Sequence, residues 1–141
     1  MDSYRSLDAG KHAHAAVILL HKSTEGLDRP KYWAILDQLK RAVISVETNI
    51  VEGYALGTQP QCLRHLWIAF GSAAESECLV RTTAELGYLD SAVTSKLGTE
   101  LAGAMRTLRG LLRSPPRNPT HPAPRTTHGS PTHYAPRTTH P

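Results

Sequence analysis

The sequence predicts an all-α protein: an antiparallel up-down-up-down four-helix bundle with a disordered C-terminal tail. Three observations lead there. Apolar residues recur every three or four positions along four stretches, Gly and Pro punctuate the gaps, and no stretch alternates with period two. The bundle takes residues 1–113 and the tail residues 114–141.

The first helix is expected from about Asp8 to Lys22, with Ala16, Leu19 and Leu20 at helical spacing, fading near Ser23–Gly26. The second starts around Asp28, whose carboxylate can cap exposed N–H groups, and tolerates Pro30 in its first turn. Its apolar positions Leu36, Leu39, Val43, Val46, Ile50 and Gly53 step 3-4-3-4-3, the seam of a helix lying nearly parallel to its neighbours. Gly57 suits a left-handed end.

Thr58-Gln59-Pro60-Gln61 reads as a helix start, with Thr58 capping and Gln61 reaching back to it. The third helix then presents Leu63, Leu66, Phe70, Ala73, Val80 and Ala84, and stops at Gly87. A fourth follows the cap Asp90 or Ser91, carries Leu97, Leu101, Ala104, Leu108 and Leu111, and dies before Pro115-Pro116.

Composition shifts at Ser114. Most of the ten prolines lie beyond it, and Pro-Thr-His and Ala-Pro-Arg-Thr-Thr-His each recur with period 12. Without Leu, Ile, Val or Phe the segment cannot offset its ordering entropy, so it is expected to be a solvated, disordered tail. All 12 acids precede Ser114, with 13 of the 16 Lys and Arg, so the net +4 comes mostly from the tail. The longest apolar run, Ala15–Leu20, is far below the ~20 residues of a membrane span. No basic-then-apolar leader opens the sequence, and two cysteines cannot make a disulfide scaffold, so a reducing cytoplasm is expected.

Helix three carries a second apolar edge. Ile68, Ser72, Glu75 and Leu79 step 4-3-4 away from the first face, with Trp67 and Cys78 between the two. A helix apolar on two sides needs cover on two sides, which predicts a homo-oligomer. The alternative is that Ile68 and Leu79 are scattered surface apolars. Helix two bears a polar stripe of Gln38, Arg41, Ser45, Asn49 and Glu52. Glu75 is a natural partner for Arg41, within the chain or across a subunit boundary.

Catalysis finds no constellation. Phosphate-loop, Cys-x-x-Cys and His-Glu-x-x-His patterns are missing from the sequence. His12 and His14 face different sides of one helix and cannot share a metal. Cys62 and Cys78 lie on one helix about 24 Å apart, beyond disulfide reach. Ser45 lacks a neighbouring His as base. No catalytic residue, metal site or cofactor is therefore expected. Arg106, Arg109 and Arg113 step 3-4 along the end of helix four, and Arg117 follows. Such a stripe can neutralise phosphates, or it can simply complement the helix dipole and stay solvated. Aromatics are few and sit mostly at bundle positions, so no base-stacking platform is expected.

Three segments resemble a known family. They are Gln38–Tyr54, with Arg41, Ser45, Asn49, Glu52 and Gly53; Ala69–Glu75, with Gly71, Ser72 and Glu75; and Glu85-Leu86-Gly87-Tyr88-Leu89. The resemblance covers about residues 8–113. It is to the bacterial four-helix-bundle proteins first noticed as products of intervening sequences in large-subunit ribosomal RNA genes. These are similar to the accessory variability determinant of diversity-generating retroelements. The resemblance implies a barrel-shaped homopentamer without enzymatic activity, and, through that determinant, binding of RNA or DNA and of a reverse transcriptase. Two positions depart: Phe70 stands where the family usually has Arg, and Leu56-Gly57 replaces a frequently basic position. Both remove positive charge from the folded body. The expected function is an oligomeric nucleic-acid-binding accessory protein; the alternative is a protein–protein adaptor that binds no nucleic acid.

Overall fold

A computed structural model describes residues 7–27 and 29–117 of the chain. Four helices follow one another: α1 (Asp8–Thr24), α2 (Pro30–Ala55), α3 (Gln59–Glu85) and α4 (Ser91–Arg113). Each packs against its neighbours in sequence, α1 also packs against α4, and the diagonal pairs stay apart, so the bundle closes as a ring. Side-chain contacts set the directions. Gln38, early in α2, reaches Glu75 late in α3, and Phe70, early in α3, lies under Arg109 late in α4. His14, early in α1, meets Glu47 late in α2. Successive helices are therefore antiparallel, as expected of short connections.

The helix ends follow local chemistry. Gly57 and Gly87 take φ of 76° and 69°, the left-handed geometry that lets a chain leave a helix at once. Asp90 caps α4 by accepting from the Ala92 N–H at 3.2 Å. Thr58 occupies the cap position of α3, but its hydroxyl donates to Gln61 Oε1 at 2.8 Å and makes no backbone cap. At the start of α2 the cap position falls on Arg29, which makes no side-chain cap, with Pro30 in the first turn. The expected cap Asp28 lies outside the described residues, as does the tail beyond Arg117 and its expected disorder.

The interior divides into two halves. Towards one end Ala9 and Ala13 of α1 and Ala69 and Ala73 of α3 are buried together with Val46, Ile50, Cys62, Leu66 and Leu108. Towards the other, Leu20, Leu36, Leu39, Val43, Leu97 and Leu101 fill the space. The α2 seam is buried at all six expected positions. In α4, Leu97, Leu101, Ala104 and Leu108 are buried and Leu111 is half-buried. Helix α3 corrects the expectation. Its buried face is Cys62, Leu66, Ala69, Ala73, Ser76, Val80 and Thr83, while Leu63 and Phe70 are half-buried and Ala84 is exposed. Small residues hold the centre of this face, and the bulkier Leu63 and Phe70 lie on its flank. The buried hydroxyls need no distant partner: Ser76 donates to Ser72 O at 2.7 Å and Thr83 to Val80 O at 2.8 Å.

Candidate functional site

The polar stripe of α2 meets α3 in one line of hydrogen bonds along their groove. Gln38 sits between the two residues expected to pair. Arg41 Nη2 donates to Gln38 Oε1 at 3.1 Å, and Gln38 Nε2 donates to Glu75 Oε1 at 2.6 Å. Arg41 and Glu75 are thus linked through an amide, which supplies both the acceptor and the donor they need. One turn further, Ser45 Oγ lies 2.8 Å from Ser72 Oγ. Asn49 Nδ2 donates to Ser45 O at 2.9 Å and to Ser45 Oγ at 3.1 Å. His65 Nδ1 lies 2.9 Å from Asn49 Oδ1 and 3.4 Å from Glu52 Oε2. His65 escaped sequence reasoning, although it stands seven residues before Ser72 and so on the same side of α3. The imidazole reaches Asn49, not the Ser45 hydroxyl.

Gly53 explains why this groove is tight. A Cβ there would sit 3.1 Å from His65 Cβ and 3.2 Å from Cys62 O, so α2 and α3 touch through that glycine. Beside it, burial pushes the Tyr54 phenol up to about 12, with the neighbouring Cys62 thiol adding to the shift. Burial also raises Cys62.

The outer edge of α3 is split. Ser72 and Leu79 are half-buried, Ser72 bonded to α2 and Leu79 packed on the core, whereas Ile68 and Glu75 are exposed. Gly71 is exposed too, and a Cβ placed on it would meet nothing within 4 Å. Trp67, expected between the two apolar faces, is 60% exposed. It touches Phe70 edge-on, ring centroids 6.2 Å apart.

On α4, Arg106, Arg109 and Arg113 all face solvent, and Arg117 is exposed just beyond the helix end. The ion pairs among the described residues join His12 to Glu100, His14 to Glu47 and His65 to Glu52, so no described carboxylate neutralises this stripe. Arg109 places its guanidinium 5.6 Å from the centroid of Phe70. A cation of α4 is thereby seated on the aromatic ring of α3. His12 and His14 point to α4 and α2 respectively, as their spacing implied. No group of three metal-ligating side chains gathers among the described residues, and no described helix is long and apolar enough to cross a membrane.

These features define an antiparallel four-helix bundle with a hydrogen-bonded signature groove on one side and an exposed arginine stripe on another. The chain belongs to the 23S rRNA-intervening sequence protein family, whose model matches residues 5–110. Its fold is similar to that of a protein of unknown function from the S23 ribosomal protein family of Bacteroides thetaiotaomicron. That likeness has a TM-score of 0.67 at 16% identity and covers 75% of this chain and 96% of the other. No curated protein matches the chain.

Proposed function

We propose that the protein is a non-enzymatic, homo-oligomeric accessory protein of the cytoplasm that binds nucleic acid, RNA or DNA, through the α4 stripe. The observation that carries this reading is the exposure of Arg106, Arg109 and Arg113 on one helix face, with none of them paired to a carboxylate among the described residues. Exposed cations on a regular spacing suit a phosphate backbone. Subunit association uses the outer α3 edge, where Ile68 and Gly71 lie open and a second copy would cover them. Resemblance to the retroelement determinant supports a pentamer and a reverse transcriptase as protein partner.

An electrophoretic shift with structured RNA at two salt concentrations tests nucleic-acid binding. Binding at low salt that falls steeply at high salt is expected; no binding at low salt overturns it in favour of the protein–protein adaptor. Light scattering during size exclusion tests association, since a monomer weighs 15.4 kDa and the assembly must weigh a multiple of that.

A further inference from the structure

We infer that Trp67, Phe70 and Arg109 form a stacking site for an unpaired base of single-stranded nucleic acid, with Arg106 and Arg113 holding the flanking phosphates. This rests on the nucleic-acid reading above and adds to it a site and a strand preference.

The three side chains meet in a row across α3 and α4, Arg109 on Phe70 and Phe70 beside Trp67. Phe70 is rooted in the core, half-buried against the cluster that contains Leu66 and Leu108. Arg109 covers part of that ring at 5.6 Å, and Trp67 stands edge-on to it at 6.2 Å with an interplanar angle of 80°. An indole that is 60% exposed while resting on a fixed phenyl ring keeps aromatic surface open to solvent. A tryptophan left so open offers a large apolar face for a partner to cover. The surroundings select the cover. Arg106 and Arg113 flank Arg109 on the same α4 face, and Arg64 lies one turn before Trp67 on α3; all are exposed and none pairs with a carboxylate among the described residues. A greasy peptide would have to bury or displace these guanidinium groups at a cost. A nucleotide places a flat π-face on the indole and its phosphates among the cations, satisfying both features. Duplex bases are already stacked and offer no free face, so the site favours single strands.

The test uses the full chain with Trp33→Phe, which leaves Trp67 as the sole tryptophan. Titration at low salt with an oligouridylate of roughly 12 nucleotides, within the site sizes of single-strand binders, should quench Trp67 fluorescence to saturation. Trp67→Ala should weaken the single strand about tenfold and a duplex RNA by less than about twofold, while Trp67→Phe recovers most of the loss. Arg106→Ala with Arg113→Ala should weaken both. If Trp67→Ala binds single strands like the unsubstituted chain, or Trp67 emission is unmoved at saturation, the stacking site is wrong though nucleic-acid binding stands. A change in oligomer mass on Trp67→Ala also overturns it, because the indole would then belong to a subunit contact. No binding of any RNA at low salt removes the underlying reading as well.

Discussion

Gly53 and Gly71 both sit in helix interiors, where each forgoes the ~1 kcal/mol that alanine would contribute. Their surroundings predict opposite outcomes for the same substitution. Gly53→Ala drives a methyl group against Cys62 O and His65 Cβ, the first of which is α3 backbone and can yield only by moving the helix. It should lower stability by about 1–2 kcal/mol in urea unfolding, the cost of overpacking less the gain in propensity. Gly71→Ala meets nothing within the chain and should raise the stability of dilute, dissociated protein by about 0.5–1 kcal/mol. If a second copy approaches through Gly71, that same methyl weakens association, so mass by light scattering falls while the monomer becomes more stable. Tyr54 supplies a pH signature. Its folded pKa of about 12 exceeds the unfolded 10.0, so the folded state holds the proton more tightly. The associated stability is complete below pH 10 and is lost as pH rises towards 12, about 2–3 kcal/mol in all. Tyr54→Phe should remove that part of the alkaline decline, read as the pH dependence of the urea midpoint.

At the scale of elements, the signature groove can be tested as a unit. Ser45 and Ser72 bond across α2 and α3 in a half-buried setting. Removing one hydroxyl leaves the other short of a partner, at about 1 kcal/mol, whereas removing both leaves less unsatisfied. In a double-mutant cycle of Ser45→Ala and Ser72→Ala, the pair should therefore cost at least about 0.5 kcal/mol less than the sum of the singles. Additive losses would mean the two hydroxyls act independently. The stripe on α2 was legible in the sequence because every one of its residues is polar and one turn from the next. Its α3 half was only partly so. Ser72 and Glu75 stood at signature positions, but a lone His65 carries no periodic signal and its role emerges only once α2 lies beside it. The four helices, their punctuation at Gly57 and Gly87 and the α2 seam were readable for the same reason: large aliphatic residues occupy the core at regular steps. On α3 that rule misleads. Cys62, Ala69, Ala73, Ser76 and Thr83 hold the centre there, so the size of Leu63 and Phe70 points to the wrong side by about one residue. The stacking platform was invisible for a related cause, since both Trp33 and Trp67 lie on helices yet are 50% and 60% exposed.

At the scale of the whole molecule, charge and assembly make a joint prediction. The bundle is close to electrically balanced, so long-range attraction to a polyanion is weak and binding must come from local phosphate contacts on the α4 stripe. One chain offers Arg106, Arg109 and Arg113 on a single face, so a lone protomer contacts about three phosphates of a duplex, and about two of a single strand whose base is stacked at Arg109. The slope of log affinity against log salt should then be about −2.7 for a duplex and about −1.4 for a single strand. An assembly that lays one nucleic acid across two or more stripes at least doubles those slopes without adding any residue to the interface. Measuring the slope for the intact chain and for Gly71→Ala separates the two. If the steep slope collapses towards the single-chain value when association is weakened, the arginine stripe acts as a repeated element of the oligomer. A steep slope that survives dissociation would mean that other cations of the same chain, the arginines beyond Ser114 among them, carry the contacts instead.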